Sequence, residues 1–353
     1  FIYSMFIMRQ KLTLSEIATM AGVTPSTVSR ALNPAASHLL SKKTSERILA
    51  LCDHVGYRPS LLARGTATGF TYKVAMILHD MEKDLNAHDW NRITCATSAF
   101  LQESGYSLVL LRTSEKGTSM DMQVSHFLMS GIADAYITSP SMLKNNTLEM
   151  LNSLKSPLFV ICEHGVPFPV SDGVLRSDAD AFKQVWSRIP KEMHGKICFL
   201  STINDNTQRL LTNIKRAAWD LGIDANNAIS TLSLARTSKV PAMEYAEAYH
   251  QTKKMIKSFN QFDFVWCISD FFALGVKDAL TECGRCPGKD VFILGYGDLE
   301  TFPGVSEKPV LSTISANTHE IARNMCSVIM KKLDGEHTDI VTVKSSFISR
   351  STF

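Results

Sequence analysis

Arg30 is the one charged residue in "PSTVSRAL", residues 25–32, and it stands among Pro25, Ser26, Thr27 and Ser29 with no carboxylate nearby. Small hydroxyls with a guanidinium make a donor-rich face, suited to the acceptor edges of a polyanion and above all to a guanine. One other grouping has different chemistry: Cys283 with Cys286 forms a C-x-x-C in "ECGRCPG". No second cysteine pair or histidine cluster completes a zinc site from it. The sequence has no Gly-rich phosphate loop ending in Lys-Ser/Thr, no H-E-x-x-H and no G-x-S-x-G. Nucleotide-driven, zinc-protease and serine-hydrolase chemistry therefore lack their usual residues. No cofactor or metal is expected.

The Arg30 face needs a scaffold, and the flanking residues provide one. Thr13 and Glu16 have the spacing of a capping box, so a helix should begin at Leu14. Leu14, Ile17, Ala18 and Ala21 recur on one face of it. Gly22 suits the left-handed residue that ends a helix, and Thr24 caps a second helix with Pro25 in its first turn. Val23, Val28 and Leu32 then point back at the first helix. Ser41 opens a third, with Ile48, Leu49, Cys52 and Val55 as the expected apolar stripe. Three short helices around a tight turn close a small core, and the second is short enough to enter a major groove. Spacing alone leaves a packing hairpin open as an alternative.

Charge separates this head from the remainder. Through Gly65 there are eight Lys and Arg against three acids, a surplus of five, whereas the whole chain of 353 residues sums to +3. A basic head on a mildly acidic body is the asymmetry expected when one domain meets nucleic acid. Lys42 and Lys43 are the natural phosphate holders. The eight cysteines lack the spacing of a secreted disulfide scaffold, and a reducing cytoplasm fits them. "FIYSMFIM" is apolar but too short to span a bilayer, and no other segment is long enough. Residues 1–10 read as an N-terminal extension, 11–58 as the head, 59–71 as a linker and 72–353 as the body.

In the body, short apolar runs such as "KVAMIL", "PLFVIC", "GKICFL" and "VFILGYG" alternate with helical patterns such as "DAFKQVWSRI", "TNIKRAAWDLG" and "HEIARNMCSVIMKKLDG". Such alternation predicts parallel sheets covered on both faces, and about 280 residues of it predict two lobes. Ligands in such folds bind at the carboxyl ends of strands.

"LSEIATMAGVTPSTVSRALN", followed by "LLSKKTSERILALCDHVGYRPSLLAR", closely resembles the DNA-binding head of the lactose-repressor (LacI/GalR) family of bacterial transcription regulators. "CISDFFALGVKDAL", "KPVLSTI" and the closing "SRST" extend the resemblance over the body. The resemblance implies an all-α helix-turn-helix DNA-binding domain followed by a two-lobed, periplasmic-binding-protein-like α/β effector domain. It implies a homodimeric repressor on pseudo-palindromic double-stranded operator DNA, working in the cytoplasm at the nucleoid without a membrane. A sugar, sugar acid or sugar phosphate would set its operator affinity. The DNA contacts it implies are Thr24, Pro25, Ser26, Thr27, Ser29, Arg30, Lys42 and Lys43, with Ser60 and Arg64 in a hinge helix. Thr66, preceded by Gly65, stands where the family usually has a leucine that wedges into the minor groove. For the effector it implies His79 or Asp80 after the first strand, Ser139 after the third, Asp178, Arg209, Asp270 with Phe271, and Tyr296 in "GYGD". Alternatives from other classes are a sugar-binding carrier without a DNA role, and a sugar-modifying enzyme using Asp178 and Asp270.

Overall fold

A computed structural model describes residues 12–32, 37–58, 65–66, 68–78, 87–113, 119–140, 157–163, 171–201, 205–234, 243–301 and 306–353. The chain separates into two compact units, Phe1–Tyr72 and Lys73–Phe353.

The first unit holds α1 (Leu14–Ala21), α2 (Pro25–Leu32) and α3 (Lys42–His54). The capping box is present: Glu16 Oε2 accepts from the Thr13 N–H at 2.6 Å, and Thr13 Oγ1 accepts from the Glu16 N–H at 3.3 Å. Gly22 ends α1 at φ 62°, which a side chain would strain. Thr24 Oγ1 accepts from the Thr27 N–H, and Ser41 Oγ from the Thr44 N–H. Ile17, Ala18, Val28, Ala31, Ile48, Cys52 and Tyr57 form the core. One residue of the expected α3 stripe is corrected: Leu49 is exposed, because Ile48 and Cys52, four apart, already fill the inward face of the helix.

The second unit carries two six-stranded sheets. The first is ordered β11-β5-β4-β3-β1-β2 and the second β12-β10-β9-β8-β6-β7. Their strands are β1 (Lys73–Leu78), β2 (Ser107–Arg112), β3 (Ala135–Thr138), β4 (Leu158–Glu163), β5 (Gly173–Ser177), β6 (Ile197–Ser201), β7 (Ile229–Ser233), β8 (Phe264–Cys267), β9 (Phe292–Tyr296), β10 (Ser312–Ser315), β11 (Ile340–Lys344) and β12 (Ser346–Ile348). All pairings are parallel except β10 with β12. In β1, Val74, Met76 and Leu78 enter one apolar cluster and Ala75 and Ile77 another, so both faces are covered.

The covering helices are α4 (Ala87–Glu103), α5 (Met120–Met129) and α10 (Thr318–Leu333) in the first lobe. In the second they are α6 (Ala179–Arg188), α7 (Asp205–Trp219), α8 (Glu244–Lys254) and α9 (Asp270–Glu282). The chain crosses between lobes three times, at Asp178, at 316–317 and at Ser345. Side chains lace these crossings together. Ser345 Oγ donates to Asp178 Oδ1 at 2.5 Å, and Asn317 Nδ2 donates to the Lys344 carbonyl at 2.6 Å.

Candidate nucleic-acid interface and effector cleft

The outer face of α2 is open. Thr24, Pro25, Ser26, Ser29 and Arg30 are exposed and Thr27 is half-buried. The hydroxyls of Ser26 and Thr27 each lie 2.9 Å from Thr24 Oγ1, which orders the start of the helix. Arg30 makes no hydrogen bond or ion pair among the described residues, so its five donors are available. Lys42 and Lys43 are exposed in the first turn of α3, where unpaired backbone N–H groups add to their positive field. The Lys42–Glu46 pair, 4.0 Å apart with side chains 91% and 64% exposed, holds the lysine weakly.

Ser60 and Arg64 lie outside the described residues. Gly65 and Thr66 are helical, and the Gly69 N–H closes the turn on the Gly65 carbonyl at 2.8 Å. A Cβ on Gly65 would stand 2.6 Å from the Phe70 carbonyl oxygen, so close backbone approach explains the glycine.

Of the effector candidates, His79 and Asp80 lie outside the described residues. Asp178 and Tyr296 are brought together: the Tyr296 hydroxyl donates to Asp178 Oδ2 at 2.8 Å. Ser139 is half-buried just past β3, Phe271 is half-buried in the first turn of α9, and Arg209 is exposed on α7.

Asp270 is fully buried. Its Oδ1 accepts from the Thr313 hydroxyl and its Oδ2 from the Leu299 N–H, each at 2.7 Å. Burial raises its carboxyl to about 7, helped by the Asp298 and Glu300 charges and opposed by those two hydrogen bonds. The acid/base pairing of Asp178 with Asp270 has no support here, since each carboxylate is engaged by its own set of protein donors.

Sequence reasoning missed two residues. Arg176, buried in β5, pairs with Asp89 at 3.6 Å and with Asp178 at 3.5 Å, and its guanidinium lies 5.5 Å from the centre of the Tyr296 ring. Arg92 of α4 donates across the lobes to the carbonyls of Gly297 and Asp298. The available signal was a charge inside a buried strand, "GVLRS", since arginine is almost never buried without partners.

A capped helix-turn-helix with an open donor face, joined to a two-lobed α/β body, defines the class as a DNA-binding transcriptional regulator. Residues 13–60 match the family described as "Bacterial regulatory proteins, lacI family". The transcriptional regulator PtxS of Pseudomonas putida is 24% identical over 333 residues, covering 93% of this chain and 91% of that protein. The transcriptional repressor PurR of Photobacterium profundum is 21% identical over 323 residues, covering 91% of this chain and 92% of that protein. Among solved structures, the Lac repressor bound to ONPG aligns with a TM-score of 0.72 at 19% identity, covering 98% of this chain and all of that one. The Lac repressor dimer bound to operator and the anti-inducer ONPF aligns equally, with a TM-score of 0.72 at 20% identity, covering 97% and 99%. The head of the chain carries the DNA-binding domain of the lacI family of bacterial regulatory proteins.

Proposed function

We propose that this regulator is an operator-specific repressor whose DNA affinity is set by a small carbohydrate-type effector held between the lobes of the body. Two copies would present two α2 helices to half-sites about one helical turn apart on a pseudo-palindrome. Pro25, Ser26 and Arg30 would face base edges, while Lys42, Lys43 and the helix N-termini hold phosphates. Residues 11–58 are assigned to reading, 59–71 to a hinge that includes Ser60 and Arg64, and 72–353 to effector binding and dimerisation.

The effector acts by linkage. A ligand that prefers one lobe arrangement shifts the dimer between operator-competent and incompetent states by its differential affinity, typically about 1–3 kcal/mol. Ser139, Asp178, Arg209, Asp270, Phe271 and Tyr296 are the described residues assigned to effector binding, with Arg176 beside Asp178 and Tyr296. A protein of this kind works in the cytoplasm, at the nucleoid. Solved relatives support the reading in kind: one is a transcriptional regulator in complex with cellobiose, with a TM-score of 0.61 and 20% identity.

The observation that carries the proposal is the exposed, acid-free face of α2 with Arg30 unengaged among the described residues. The test is selection of duplexes from a random library by the full chain, followed by thermal-shift screening of sugars, sugar acids and sugar phosphates with and without the selected duplex. A two-fold-related consensus and a sugar that changes duplex affinity support the reading. Absence of any preferred duplex over random competitor overturns it.

A further inference from the structure

We propose that Arg92 is the clasp that holds the two lobes together before any ligand arrives, and so is a positioning residue for the effector response. The inference rests on the reading that the cleft takes an effector, and it adds what keeps that cleft shut.

Arg92 stands on α4 in the first lobe, and its guanidinium reaches the second lobe's 297–301 turn. Nη1 donates to the Gly297 carbonyl at 3.3 Å. Nη2 donates to the Asp298 carbonyl at 3.0 Å and to Thr301 Oγ1 at 2.9 Å. One planar fork thus meets three acceptors, an arrangement that a lysine point charge cannot reproduce.

The turn is a stiff handle. Asp298 sits in the left-handed region at φ 53°, and its Oδ1 accepts from Arg350 at 2.6 Å. The Leu299 N–H is held by Asp270, and the buried Glu300 carboxylate accepts from the N–H groups of Val310 and Leu311 at 2.8 and 2.6 Å. A pull on this turn is therefore transmitted to the core of the second lobe rather than absorbed locally.

The Tyr296–Asp178 hydrogen bond and the Lys344–Asp180 ion pair act at the crossovers. Arg92 adds a tie from α4, one helical turn beyond Asp89, whose ion pair with Arg176 adjoins the first crossover. Opening the lobes breaks its three hydrogen bonds together. A ligand must then enter through a minor open population, and relief of the clasp raises that population.

The test uses ligand-free full chain and hydrogen-exchange mass spectrometry. Arg92→Ala removes the fork, and Thr301→Val removes one acceptor from the opposite lobe. With the clasp in place, Arg92→Ala raises exchange in residues 297–301 by about tenfold, the factor expected from losing one charge-assisted hydrogen bond in an opening equilibrium. Thr301→Val raises exchange in residues 87–95, on the other lobe, in the same direction. In residues 87–95 the double variant exchanges no faster than Arg92→Ala alone, because the Arg92–Thr301 bond is the tie to α4 that Thr301→Val removes, while Thr301's other bond, to the Asp298 carbonyl, lies within the second lobe. Faster exchange confined to the mutated lobe, or additive effects in the double variant, overturns the proposal. If Arg92→Ala loses protection throughout, the cross-lobe response to Thr301→Val decides the matter. Neither DNA nor sugar is present, so this result stands or falls separately from the effector screen.

Discussion

Tyr296 of β9 and Asp178 at the first crossover are joined across the two lobes by a 2.8 Å hydrogen bond, in which the phenol donates to a buried carboxylate. Asp178 also receives Ser345, so one side chain ties two crossovers to a strand of the second sheet. Removing only the phenol oxygen, by Tyr296→Phe, leaves the ring stacked near Arg176. The expected loss is about 2 kcal/mol, typical of a hydrogen bond to a charged acceptor. Urea unfolding of the full chain measures it, and an unchanged midpoint would show that the bond contributes nothing.

Arg30 and Lys42 are predicted to fail differently. Arg30→Ala should weaken binding to the selected duplex by roughly 1–3 kcal/mol and relax base preference at one position of each half-site. Lys42→Ala should weaken all duplexes alike and reduce the slope of log affinity against log salt by about one. Salt titrations on cognate and scrambled duplexes separate the two. Identical behaviour of both variants would refute the division between base reading and phosphate holding.

Asp270 gives stability an unusual pH dependence. Its carboxyl titrates near 7 in the folded chain against an ordinary 3.8, chiefly because it is buried. Between those values the folded state keeps a proton that the unfolded chain has released. Stability from this group is therefore present at low pH and lost as pH rises towards 7. The wild-type urea midpoint should fall between pH 5 and 8 by more than that of Asp270→Asn, which lacks the titration. Parallel profiles for the two proteins would contradict this account.

Glu16 runs the other way. The Thr13 N–H, and after it the Thr13 hydroxyl, hold its carboxyl below the ordinary 4.5. Its contribution is present above the unfolded pKa and lost as pH falls through the folded one. Glu16→Gln should therefore destabilise the head at pH 7 but match the wild type in strong acid. Thermal unfolding followed by helix circular dichroism at both pH values checks this.

Much of the head was legible because its signals are local. A capping box, a left-handed glycine and a Thr-Pro start act over three or four residues, and the structure has each of them where the spacing put it. Leu49 was misassigned for a non-local reason: which flank of α3 is buried depends on how α1 and α2 approach it. In the body, apolar runs announced strands such as β1, β4, β6 and β9, while β5, β7, β11 and β12 escaped notice because they are short, polar or at sheet edges.

The sequence by itself determined the elements, the basic head with its acid-free reading face, and the alternation that demands two covered parallel sheets. All of these follow from backbone propensity and hydrophobic period, which depend on near neighbours. Only the tertiary structure decided what the carboxylates do. Asp178 and Asp270 look alike in sequence, yet one joins the lobes and the other supports a turn from within the core, because their donors come from Ser345, Tyr296, Thr313 and Leu299. Arg92 finds its acceptors more than 200 residues away, a pairing that chain closure alone creates.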